Sequence, residues 1–295
     1  MEEYLIIDAH AHLWQRATNP EVQPIPSNPS RSMFFGEERQ MLPPFMIDGS
    51  NTAEVFLSNM DYAQVSAAVI VQEIIDGNQD EYLSTVQAHY PNRFFCCSLL
   101  TDPHTLPSTL YSLKGIALPG HRVKESLHTF LPIFKQMESN NQILSLCLAD
   151  DEHQISEMQE IIQECPNLKV AIGHFGMPTT PSWRSQILLA RNKNVMIESG
   201  GITWLFNYNG FPFPDATDHI RMAADMVGMD KLMWGSDYPR TITAITYKMA
   251  YDFIFHSDKF THEEKKQFLG HNALRFYQFN ENKIPKLQYI KNMSE

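Results

Sequence analysis

Residues 143–172 read ILSLCLADDEHQISEMQEIIQECPNLKVAI. An apolar run over 143–148 has the length of a buried strand, and 168–172 (LKVAI) is a second such run. Between them, 152–164 is an amphipathic stretch of helical length, closed by Pro166. A strand, a helix and a strand in this order are joined most simply as a parallel βαβ unit.

The same alternation extends outward in both directions. Strand-like runs occur at 4–8, 67–71, 94–99, 115–118, 194–198 and 231–235, and helical stretches at 51–63, 79–90, 126–138, 216–227 and 242–256. Asn51-Thr52 precedes the first helix and Pro91 follows the second, as start and stop signals. Eight strands alternating with helices predict an α/β fold of the closed (β/α)8 TIM-barrel kind, with an open doubly wound sheet as the alternative. Several strands are apolar on both sides, as a barrel sheathed by helices requires. The 295 residues are expected to form one domain over 1–295. The exception to the pattern is 15–50, rich in Pro, Ser and Asn (EVQPIPSNPSR, MLPPFMIDG) and without a clear period. It is expected to be a long loop insertion over the C-terminal face of the barrel, either a substrate-binding lid or a decorative insertion.

Composition narrows the function. The formal net charge is −11, which repels nucleic acid and anionic membrane over most of the surface. The start, MEEYLIIDAHAH, is acidic where a signal peptide needs basic residues, and no apolar run approaches the ~20 residues of a membrane span. Cys96, Cys97, Cys147 and Cys165 form no CxxC pair and read as reduced core thiols, so a cytoplasmic protein is expected. The partner is then a small-molecule substrate; a homodimer is one possible assembly.

Chemistry-bearing residues concentrate where strands end. IIDAHAHLW (6–14) carries His10 and His12, two apart and therefore on one side of a strand. His174 follows a strand in VAIGHFGMP and Asp237 follows another in LMWGSDYPR, with Gly173, Gly176 and Gly235 nearby to permit tight turns. Three imidazoles and a carboxylate converging on one barrel face suit a borderline-soft divalent ion such as zinc. Each has a plainer alternative: His174 as a turn residue, Asp237 as a helix cap. His121 and Arg122, in ALPGHRV after the fourth strand, should reach the same face and hold a polar or anionic substrate group. Arg240 is a further anchor or a surface ion pair, and Trp14 packs on a sugar face or plugs the barrel rim.

DAHAHLW (8–14), NMDYAQVSAAVIVQ (59–72), DGNQDEYLSTVQAHYPNRF (76–94), VAIGHFGMP (170–178), DKLMWGSDYPR (230–240) and GHNALRFY (270–277) resemble the amidohydrolase superfamily. Within it they are most similar to the amidohydrolase-2 group, which contains sugar-lactone and dicarboxylate-lactone hydrolases. The resemblance implies a (β/α)8 barrel in which His10, His12, His174 and Asp237 match the ligand and general-base positions. The chain departs from binuclear relatives: LSLCLADDE (144–152) has no histidine at the fifth strand's end, and Lys114 stands at the wrong end of the fourth. One divalent ion at most is expected, zinc by preference, weakly held or dispensable.

The expected activity is opening of a lactone, a sugar-acid ester or related cyclic ester, by water that Asp237 activates. His174 is the second catalytic candidate, as third ligand or as hydrogen-bonding electrophile. The alternative reaction is zinc-dependent nonoxidative decarboxylation of an aromatic or unsaturated acid. A noncatalytic binding protein on the same scaffold is the third class, disfavoured because all four site residues are present.

Overall fold

The computed structural model describes residues 4–19 and 22–287. Eight strands form one parallel sheet: β1 (Ile7–Ala11), β5 (Ala67–Ile70), β6 (Phe94–Leu99), β7 (Gly115–Leu118), β8 (Ile143–Leu146), β9 (Lys169–Ile172), β10 (Val195–Glu198) and β11 (Leu232–Met233), paired in that order. The ends of the sheet meet. Ala9 donates its N–H to Trp234 (2.9 Å), His12 donates to Tyr238 (2.8 Å), and Ala11 bridges Tyr238 in parallel. The (β/α)8 barrel expected from the alternation is therefore what forms.

Helices lie between the strands: α1 (Ala53–Tyr62), α2 (Asp80–His89), α3 (Leu131–Ser139), α4 (Glu152–Glu164), α5 (Trp183–Leu188), α6 (Ile202–Leu205), α7 (Pro214–Val227) and α8 (Met249–His256), then α9 (His262–Lys266) and α10 (Asn272–Phe276). Two apolar clusters follow from the alternation of side chains along each strand. The inner one fills the barrel with Ile7, Ala9, Val69, Phe95, Ala117, Ala171, Met196 and Met233. The outer one packs Ile70, Cys96, Ile116, Leu144, Val170 and Ile197 against the helices. All four cysteines are free thiols, three of them buried, and no helix among the described residues is long and apolar enough to cross a membrane.

Several expectations need correction. The segment 15–50 is not a structureless loop: β2 (Val22–Ile25), β3 (Asn28–Phe34) and β4 (Glu37–Gln40) make a small antiparallel sheet of their own. β4 is wholly exposed, and the buried positions of β3 are serines (Ser30 and Ser32), so neither carries the apolar alternation that would have marked it. The first barrel strand is 7–11, not 4–8, and the last shrinks from 231–235 to two residues. Thr52 is the N-cap of α1 by position only, since its side chain makes no capping bond. Within 242–256 the α-helix begins only at Met249, after a 3-10 turn at Thr241–Thr243, and α5, α6, α9 and α10 went unread because each is short.

Candidate active site

β1 is the strand on which the site depends, and its pleat is interrupted. The pairing of β1 with β5 slips between Asp8 and Ala11, so Ile7 and Ala9 belong to the inner cluster while Ala11 belongs to the outer. A strictly alternating strand would have left His10 on the outer side with Asp8. The irregularity turns His10 and His12 inward while Asp8 stays behind the strand. There Asp8 accepts hydrogen bonds from the Ser236 N–H (2.9 Å), the His10 N–H (3.1 Å) and the Tyr247 hydroxyl (2.7 Å). Asp8 thus pins the end of β1 to the loop that carries Asp237, and Asp237 in turn donates its N–H to the His10 carbonyl (2.9 Å). Asn51 completes the support, its amide donating to the His12 carbonyl (2.6 Å).

The side chains converge closely. His12 Nε2 lies 3.1 Å from His10 Nε2 and 3.1 Å from Asp237 Oδ1, and His10 Nε2 is 3.9 Å from the same oxygen. His10, His174 and Asp237 present ligand atoms all within 4.8 Å of one another. The four residues singled out at strand ends are thus brought together. Asp237 is not the cap of the helical turn that follows, which is Arg240: the Oδ1 of Asp237 accepts from His12 and its Oδ2 from the Trp204 indole N–H (2.8 Å), whereas His174 does open a turn, over His174–Gly176. His174 (φ 49°) and Asp237 (φ 61°) both hold left-handed backbone conformations, unfavourable for residues with a Cβ. Such conformations cluster at functional sites, where the surrounding structure imposes them. Of the three glycines, only Gly176 (φ 62°) serves a turn through positive φ; Gly173 and Gly235 instead leave room for side chains beside them.

Charge follows from these contacts. Burial opposes a charge on His10, but Glu198 outweighs it, with help from Asp237 and Asp8, and raises its pKa to about 9. Burial and the neighbouring His10 lower that of His174. Burial would raise Asp237, yet the hydrogen bond from His12 and the surrounding imidazoles hold it well below the usual carboxylate range.

The expected substrate residues lie farther out. Glu73 engages both His121 (3.1 Å) and Arg122 (2.9 Å), and these two contacts hold its carboxyl down at about 2 against the effect of burial. Arg240 pairs with Asp76 (2.5 Å) and lies over the Trp14 ring (5.0 Å); Trp14 is buried and donates to the Gly49 carbonyl (3.0 Å). His10, His12 and His174 line a narrow crevice with Glu73 and Cys147. A larger cavity of about 1020 Å³ lies at the opposite end of the barrel, near Tyr4 and Tyr251, and contains none of these groups.

The amidohydrolase family model (Amidohydro_2) matches residues 7–279. The chain belongs to the amidohydrolase family. Solved structures of similar fold include a probable 2-pyrone-4,6-dicarboxylic acid hydrolase of Acinetobacter baumannii with citric acid bound. It is 18% identical, with 93% of this chain and 99% of that one covered and a TM-score of 0.66. An amidohydrolase of Burkholderia multivorans with bound zinc is 17% identical over 94% and 100% of the two chains, with a TM-score of 0.66. A 5-carboxyvanillate decarboxylase of Novosphingobium aromaticivorans, complexed with manganese and a nitrobenzoic acid, is 16% identical over 93% and 96%, with a TM-score of 0.62. No curated protein matches the chain.

The donor set of this amidohydrolase fits a divalent ion. Ligand atoms about 2.0–2.2 Å from a tetrahedral zinc stand about 3.3–3.6 Å apart, and the separations of 3.1, 3.1 and 3.9 Å bracket that spacing. His12 Nε2 cannot both accept a hydrogen from charged His10 and donate one to Asp237, whereas a cation that displaced these hydrogens would take a lone pair from each group.

Sequence reasoning missed Glu198, Asp76, Glu73 and Trp204. Glu198 had a signal, as a lone carboxylate ending the apolar strand NVMIE in phase with inward-facing Met196. The other three lie in turns or on a short helix, where no period marks a side chain's direction.

Proposed function

We propose that residues 1–295 form one lactone-opening hydrolase, acting on a sugar-acid lactone or related cyclic ester, with Asp237 as the base that activates water. The observation that carries this reading is the placement of Asp237. It is a buried carboxylate, ionised at neutral pH, whose two oxygens are aimed by His12 and Trp204 beside the imidazole cluster.

Asp237 accepts a proton from water as the hydroxyl oxygen bonds to the lactone carbonyl carbon. Collapse of the tetrahedral adduct breaks the ring C–O bond, and Asp237 returns the proton to the departing alkoxide. His10, His12, His174 and Asp237 would hold one divalent ion, zinc by preference, which when bound polarises the carbonyl. His174 donates from Nδ1 to the Gly200 carbonyl (2.9 Å). Its neutral ring therefore keeps a lone pair on Nε2, which favours ligation over hydrogen-bond donation. Among the substrate anchors, Arg240 retains buried Nε and Nη1 donors without partners, whereas His121 and Arg122 are engaged by Glu73.

The test is a pH-indicator screen of sugar lactones with metal content measured alongside, and carbon dioxide release assayed on aromatic acids. Ring opening is expected. Carbon dioxide release with no lactone opened would replace this reading with the decarboxylase.

A further inference from the structure

We infer that Glu198 is a positioning residue: it acts through His10, holding a hydrogen on that ring's Nδ1 so that Nε2 is the nitrogen turned toward His12 and Asp237. The inference rests on reading the imidazole cluster as the reaction centre.

Glu198 ends β10 and has no solvent exposure. Oε1 accepts from His10 Nδ1 at 2.7 Å and from the His174 backbone N–H at 3.1 Å, and Oε2 accepts from the Gly200 N–H at 2.6 Å. One carboxylate therefore fixes the ring of His10, the backbone of His174 and the turn that leads to α6. A metal-ligating histidine is commonly oriented by a carboxylate on its far nitrogen, and here that carboxylate arrives from a strand 188 residues away.

The surrounding chain makes room for this pair. A Cβ on Gly173 would stand 2.8 Å from Glu198 Oε1. On Gly200 it would stand 2.9 Å from Oε2 and 2.7 Å from His10 Cγ, and on Gly235 it would stand 2.8 Å from both Oε2 and His10 Cβ. Glycines from the loops after β9, β10 and β11 thus enclose one carboxylate–imidazole pair. The enclosure also makes a carboxylate necessary. Both oxygens of Glu198 accept, so the amide of a glutamine would turn its NH₂ either toward the Gly200 N–H or toward His10 and His174, donor against donor.

Two measurements test this. In the ¹⁵N-edited spectrum of the native protein, His10, assigned by the H10N variant, should show a deshielded, slowly exchanging Nδ1–H. If Nδ1 carries no such hydrogen, the inference is overturned without recourse to any Glu198 variant. In E198Q that signal should vanish and zinc affinity, read by chelator competition, should fall about 10–100-fold. kcat should fall while KM stays within about threefold, because Glu198 does not face the substrate. A lower melting temperature with zinc affinity, kcat and the Nδ1–H signal unchanged would make Glu198 a structural residue and overturn the inference. A native protein that opens no lactone would sink the proposed function instead, leaving the Nδ1–H and the zinc affinity to judge Glu198 separately.

Discussion

His10 and His12 leave one strand two residues apart and enter different surroundings. On the His10 side, Glu198, His174 and Gly200 form a closed set in which every buried polar atom has a partner. On the His12 side the accounting is incomplete: His12 Nδ1, Asp76 Oδ2, and Arg240 Nε and Nη1 are buried without partners. His12 Nδ1 and Asp76 Oδ2 face one another at 3.9 Å, too far for a hydrogen bond. Buried polar groups rarely go unpaired without a reason. The contrast separates a wall that is preorganised before any ligand arrives from a rim that retains hydrogen-bonding capacity for one. Variants of the wall should therefore change turnover, and variants of the rim should change binding.

The largest effect is expected where the two sides meet, at Asp237. D237N preserves shape and removes the base, so kcat should fall about 10²–10⁴-fold with little change in melting temperature. Steady-state kinetics within about threefold of the parent would place the base elsewhere. On the rim, R240K keeps the charge but loses the planar fork that pairs with Asp76 and covers Trp14. KM for the preferred lactone should rise on the order of 10-fold while kcat changes less than about threefold; the reverse pattern would erase the distinction between wall and rim.

Smaller still is the effect expected for W204F. Trp204 is partly exposed, yet donates to the buried Asp237, and removing the N–H while keeping an aromatic ring should lower kcat roughly 3–10-fold. An unchanged kcat would show that His12 alone suffices to aim the carboxylate. The smallest effect is on stability. His10 titrates at about 9 in the folded protein against 6.5 for the free side chain, so its contribution is complete below pH 6.5 and is lost as pH rises through 9. The metal-free protein should lose a few degrees of melting temperature across that interval, and H10N should lack this part of the slope. Equal slopes in the two proteins would mean that His10 is not charged in the fold.

The barrel was legible because its strands and main helices each carry a local period, and a residue at a strand's C-terminal end reaches the same face whatever its distance along the chain. His10, His12, His174 and Asp237 could be found on that principle. The sheet at 22–40 could not, because β4 is exposed and β3 buries serines, so neither shows an apolar alternation. Asp8 was visible only as a charge breaking an apolar run; that it ties β1 to Ser236 and Tyr247 depends on partners 228 and 239 residues away.

The sequence by itself determined that His10, His12, His174 and Asp237 would gather at one end of the barrel, since each follows an apolar strand-like run and strand C-termini share that end. Tertiary structure decided how they are aimed. The slip in pairing beside His10 reverses the pleat, and closure of β11 onto β1 brings Asp237 to His12. Adjacency of β10 then delivers Glu198 into a space emptied by three glycines. The physical reason is that a hydrogen bond is set by tenths of an ångström, and that distance is settled only when strands far apart in the chain close into a ring.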